Sequence, residues 1–140
     1  MKEIKVQQDV LAMAQNPYRV RFGRLNDGRM GVTIDGFAAY IIYSDNVFLD
    51  TSKFKTIDLQ KIFGDVFEAK DIIPTGVSIL KLKDTLKEFK NDDTTAYFNE
   101  KLFKYFDSKK TLTYSYHKNK LFVFENGELV GLVFETRVNK

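Results

Sequence analysis

Residues 94–138 read as a strand, a short helix and three further strands in close succession, and this series constrains the fold more than any other stretch of the chain. Residues 94–98 carry the residue types of a strand, and Asn99 follows as a helix cap. Leu102, Phe103 and Phe106 then stand at the spacing of one buried helical face. Residues 112–116, 121–125 and 129–138 are strand-like runs. Asn126-Gly127, between the last two, is the strongest hairpin signal present, because a type I′ turn needs positive φ at both central positions.

The first half repeats this order. Residues 6–15 place Val10, Leu11, Met13 and Ala14 on a helical face, and Asn16-Pro17 ends it because proline disfavours a helical residue before it. Residues 2–6 are compatible with a short strand before that helix. From Tyr18 the period becomes two: Tyr18, Val20 and Phe22 alternate with Arg19 and Arg21, and Asn26-Asp27-Gly28 makes a turn. Residues 30–34, 37–43 and 47–50 continue as β segments, broken by Asp35-Gly36 and by residues 44–46. The centre is less legible. Leu59, Ile62, Phe63, Val66 and Phe67 keep helical spacing over 57–69, with Thr56 or Asp58 as cap, but Gly64 interrupts it, so one helix or two loose turns fit. Ile72-Ile73-Pro74 closes that region, residues 76–82 read as a strand, and residues 83–90 as a helix or a hairpin arm.

These elements predict one α+β domain over residues 1–140, with antiparallel sheet and two or three short helices on one face. The recurring order of strand, helix and antiparallel strands in 2–50 and 94–138 predicts a pseudo-symmetric arrangement. At this length a chain buries roughly two-thirds of the surface exposed when unfolded, and 13 Phe and 7 Tyr with no Trp predict an aromatic, ordered core.

Cysteine is absent, which excludes disulfides, thiolate zinc sites, iron–sulfur clusters and a cysteine nucleophile. No segment approaches the roughly 18 apolar residues of a membrane span, and residues 1–6 hold no signal-like apolar run, so a soluble, cytoplasmic protein without membrane contact is expected. Gly23, Gly28, Gly31 and Gly36 read as hairpin-turn residues, and no Gly-Lys-Ser/Thr step follows a strand, so nothing resembles a phosphate loop. His117, the sole histidine, reads as a surface turn residue with no marked partner. Asp45, Asp50, Asp92 and Asp93 fit turn chemistry. No catalytic residue, cofactor or metal is expected, and the chain reads as a non-enzymatic binding protein.

The stretch Tyr97-Phe98-Asn99 with Leu102-Phe103, followed by strands closing on Arg137-Val138, resembles the end of bacterial DNA polymerase sliding clamps. In that family a Phe-Asn pair opens a helix carrying an aromatic-Leu pair, and the chain closes on a Pro-Met-Arg-like strand end. Phe98 and Asn99 match the opening, Arg137 matches the end, and Glu135-Thr136 departs from the proline-containing step. The resemblance covers about a third of the chain. It implies a clamp-like domain, assembly of several copies into a ring around duplex DNA, and helices lining the DNA-facing side. The Lys- and Phe-rich composition is also similar to that of small accessory proteins of Gram-positive phages and mobile elements, which implies a host replication or defence protein as the alternative partner.

Net charge is +3, from 22 Lys and Arg against 19 Asp and Glu, so phosphate binding requires local clustering. Arg19, Arg21, Arg24 and Arg29 form one candidate set around the first hairpin, open to reading as a phosphate grip or as its solvated face. Lys101, Lys104, Lys109 and Lys110 form a second, which Lys2 and Lys5 join if the pseudo-symmetry holds. Residues 37–43, with Phe37, Tyr40 and Tyr43, are either a buried central strand or an exposed edge for a partner or a second copy.

Overall fold

The structure, a computed structural model, describes residues 1–13, 15–43 and 50–138. Helix α1 (Glu3–Ala12) is followed by strands β1 (Val20–Arg24), β2 (Met30–Ile34) and β3 (Ala38–Ile42). After a one-turn 3₁₀ segment come β4 (Lys55–Thr56), helix α2 (Leu59–Phe63) and the long strand β5 (Lys70–Lys81). Strands β6 (Asp84–Lys90), β7 (Thr95–Asn99), β8 (Leu112–His117), β9 (Lys120–Glu125) and β10 (Glu128–Phe134) complete the chain. All ten strands join in one sheet, ordered β4-β1-β2-β3-β10-β9-β8-β5-β6-β7. Every neighbouring pair is antiparallel except β1 with β4, so the sheet is mixed.

The two helices lie on opposite faces, which corrects the expectation of helices on one face. Val6 and Val10 of α1 pack with Tyr40, Ile42, Val123 and Phe98. Leu59 and Phe63 of α2 pack with Ala39, Ile41, Phe122 and Leu132. Successive β3 residues thus feed different cores, and all five are buried. A strand that is apolar without alternation demands cover on both sides, and the two helices supply it.

Two expected elements change type. Residues 3–6 belong to α1, leaving no strand before it, and the cap at Asn99 opens only a 3₁₀ segment (Glu100–Phe103), its side chain accepting a bond from the Lys101 N–H at 3.1 Å. The halves therefore differ in their opening elements, one beginning with a three-turn α-helix and the other with a strand and a 3₁₀ turn. The strand expected over 47–50 lies, apart from Asp50, outside the described residues, as does Ala14 of the first helical pattern.

Gly23 and Gly31 are strand residues paired across β1 and β2, not turn residues. Together they open the slot that receives α2: a Cβ at Gly23 would stand 2.2 Å from the Ile57 carbonyl oxygen and 2.9 Å from Leu59 Cγ. On the other face the aromatic core is built by ring contacts. Tyr40 meets Tyr105 edge-on at 4.9 Å, and Phe89 touches Phe98, Phe103 and Tyr114. Each such pair is worth about 0.5–1.5 kcal/mol beyond its buried area.

The end of the chain closes the sheet. The Thr136 N–H donates to the Tyr97 carbonyl at 2.8 Å, so the segment after β10 borders β7, while Lys81 Nζ donates to the Arg137 carbonyl. At the opposite end Glu125, 3% exposed, accepts from the Asp107 N–H at 2.8 Å and binds the Met1 ammonium, fixing the start of α1 to β9.

Acid sensitivity follows from two aspartates. Burial alone would raise the Asp9 pKa, but hydrogen bonds from Tyr105 (2.6 Å) and Lys5, with the charges of Lys5 and Lys104, together hold it below its ordinary 3.8. The Arg19 guanidinium bound to Asp35 does the same there. Depressed carboxylates contribute stability above the unfolded-state pKa and lose it as pH falls through the folded value. Between about pH 5 and about pH 2 the urea midpoint of the wild type is expected to fall. The Asp9→Asn, Asp35→Asn double variant should start lower and fall less; parallel curves would contradict this.

Candidate functional site

The expected basic sites are largely occupied by the protein's own carboxylates. Arg19 holds Asp35 with two 2.8 Å bonds, Arg29 holds Asp27 at 2.7 Å, and Lys101 holds Asp84 at 3.2 Å. Lys104 lies 3.6 Å from Asp9, Lys110 lies 3.7 Å from Glu125, and Arg24 donates to the Gly28 carbonyl. Arg21 and Lys109 are exposed. Arg21 shares the strand face of Gly23, toward α2, whereas Lys104 reaches Asp9 of α1, so these two stand on opposite faces of the sheet. Lys2 and Lys5 do stand with Lys104, along a groove of about 830 Å³ beside the first turns of α1.

The edge-strand alternative for residues 37–43 is corrected. β3 is paired on both sides, by β2 and β10, and Tyr40 is buried with its hydroxyl donating to the Leu102 carbonyl at 2.7 Å. Burial raises the Tyr40 pKa far above that of a free phenol, which keeps it neutral. Phe37 is exposed in the turn before β3. Tyr43 lies at the end of that strand, under the Arg29 guanidinium at 5.3 Å.

His117 is more enclosed than a turn residue. Its Nε2 lies 3.1 Å from Glu68 and 3.8 Å from Asp65, and Lys120 caps Asp65 at 2.6 Å. The adjoining cleft measures about 170 Å³, below the roughly 300 Å³ of a usual ligand pocket. Asp50 caps the 3₁₀ turn before β4, and Asp92 and Asp93 sit between β6 and β7, at the other end of the strand order. Asp45 is outside the described residues. Among the described residues no group of three or more His, Cys, Asp or Glu is placed to hold a metal.

The feature that sequence reasoning did not single out is the β5–β6 hairpin. β5 pairs with β8 only through Lys70, Asp71 and Ile72; beyond them it leaves the main sheet and pairs with β6 alone. A register shift between Pro74 and Ser78, with Gly76 at φ 83°, makes the bend. Past it only the tip of the hairpin stands out into solvent, since Leu86 of β6, opposite Ile79, is fully buried. Ile73, Val77, Leu80 and Leu82 are exposed, Leu80 at 80% and Leu82 at 97%.

The turn at the hairpin tip breaks a local rule. In the turns at Asp35-Gly36, Lys118-Asn119 and Asn126-Gly127 both central residues have positive φ, the type I′ pattern. At Leu82-Lys83 only the first does, with Leu82 at φ 56°. That is the type II′ pattern, in which the first position belongs to glycine. A leucine held there costs about 1–3 kcal/mol and places its whole side chain in solvent. Leu82→Gly is therefore expected to raise stability by about 1 kcal/mol, seen as a higher urea midpoint. A lower midpoint would show that the leucine is not strained.

Fold and surface together define an α+β protein with a ten-stranded mixed sheet and a projecting, apolar-tipped hairpin. The chain matches no protein-family model, no curated protein and no solved structure. No described helix is long and apolar enough to cross a membrane.

Proposed function

We propose that this chain is a non-enzymatic modulator that works by binding another protein, with the β5–β6 hairpin as its docking element. The observation that carries this is the strained, fully exposed Leu82 beside Leu80 at the tip. Backbone strain that lowers stability while displaying an apolar side chain is the usual mark of a binding site. The host-protein partner implied by the likeness to phage and mobile-element accessory proteins fits this reading.

A photoreactive side chain in place of Leu82, with one in place of Phe37 as control, tests it in the cell of origin. The expected result is a discrete protein adduct from position 82 alone, unaffected by nuclease. No adduct, together with retention of duplex DNA by the purified chain at low salt, would overturn it.

That second outcome would favour a clamp-like accessory gripping DNA as an assembly of copies, a reading supported by Lys2, Lys5 and Lys104 along one groove. In that case neutralising those three lysines is expected to weaken DNA retention and flatten its salt dependence. Unchanged retention would count against it.

A further inference from the structure

The outer edge of β5 is open. From residue 73 onward its only strand partner among the described residues is β6, on the inner side. A two-residue turn makes its flanking pair, Lys81 and Asp84, a hydrogen-bonded one. By the antiparallel alternation Ile79 and Leu86 are bonded as well, and Ser78 and Leu80 turn their N–H and C=O groups outward. Such a row is a template for another strand. Pro74 and the bend at Gly76 shield the first part of the edge, which leaves residues 77–81 as the usable length.

Charge selects the occupant. The two acidic groups of β6 are already engaged: Asp84 with Lys101 at 3.2 Å, and Glu88 with the Tyr97 hydroxyl at 2.8 Å and the Thr75 hydroxyl at 3.0 Å. Lys83 and Lys90 stay exposed on the hairpin, and Lys87 shares the face of Ser78 and Leu80. A second copy would set one basic hairpin against another, and a lipid surface would offer the outward amides no ladder.

The geometry points to an extended acidic segment of another protein that adds as a strand to residues 77–81. Its backbone pairs with Ser78 and Leu80, its apolar side chains lie on the face of Val77 and Ile79, and its carboxylates lie on the opposite face, where Lys87 stands, with Lys83 at the tip. This inference rests on the reading of the hairpin as the docking element and names the chemistry of what docks there.

Fluorescence anisotropy with three labelled hexapeptides tests it: alternating valine and glutamate, alternating valine and lysine, and the first N-methylated at alternate residues. The full chain is expected to bind the valine–glutamate peptide at least tenfold more tightly than either control. Ser78→Pro, which removes an outward N–H and spares the ladder to β6, should weaken that binding at least tenfold without lowering the Tm. The Lys83→Glu, Lys87→Glu variant should reverse the preference toward the lysine peptide, which keeps the test informative if the proline variant misfolds.

Equal binding of all three peptides, or indifference to both variants, would overturn strand addition. So would a concentration-dependent dimer that Ser78→Pro dissolves, which gives the edge to a second copy, or sedimentation with phosphatidylserine vesicles without peptide binding. A protein adduct at position 82 combined with failure of the peptide would leave the hairpin as docking element and remove the acidic strand. Failure of both would remove both.

Discussion

Replacing Glu125 by alanine is expected to lower the unfolding free energy by about 3–5 kcal/mol, or roughly 10 °C in Tm, because it strands buried partners instead of removing a surface charge. The Glu125 carboxylate is almost fully enclosed, its side chain 2% exposed, and the Met1 ammonium it binds is part-buried. Without the carboxylate the Met1 ammonium and the Asp107 N–H lose their acceptor, and the tie between α1 and β9 goes with them. Lys110, at 3.7 Å, is half-exposed and regains water, so it adds little to the loss. Urea titration of the alanine and glutamine variants checks this. Glutamine, which keeps an acceptor oxygen, should cost less; equal and small losses would mean that the buried pair carries no stability.

Gly23→Ala is expected to cost about 3 kcal/mol and to unseat α2. The added methyl meets a backbone carbonyl, that of Ile57, and backbone cannot rotate aside as a side chain can. Relief requires the segment leading into α2 to withdraw, which breaks the 2.8 Å bond from the Ile57 N–H to the Phe22 carbonyl and exposes Leu59 and Phe63. Gly31→Ala is the informative comparison. Its nearest neighbour is Leu59 Cδ1, the end of a flexible side chain, so the loss should be smaller. Urea midpoints and binding of an apolar dye measure both effects, and an unperturbed Gly23→Ala protein would contradict the seating of α2 against β1.

Much of the sheet was legible because its turns announce themselves. Asn126-Gly127 and Asp35-Gly36 adopt the positive φ values their residue types favour, and the strands on either side follow. The short helix at 59–63 was legible through Asp58, which caps it by accepting from the Lys61 N–H at 3.2 Å. What failed has physical causes. Residues 76–82 read as a strand and lie mostly in β5, but that the strand starts at Lys70 was not legible, because only Ile72 along it is buried and periodicity reports burial. The side on which a helix packs is set by Gly23 and Gly31, whose role appears only once their strands are paired. Arg19, Arg29 and Lys101 looked available in sequence because Asp35, Asp27 and Asp84 are brought to them by turns and strand pairing. The candidate site itself was nearly illegible: Leu82 looks like the end of a strand until its turn geometry is known.

Amide exchange followed residue by residue by NMR, on the free chain and with the valine–glutamate peptide, tests the hairpin most directly. In the free chain the Ser78 and Leu80 amides should exchange fast while those of Ile79 and Lys81 are protected, and the peptide should slow Ser78 and Leu80 selectively. Protection of Ser78 and Leu80 already in the free chain, or rates that the peptide leaves unchanged, would contradict the account.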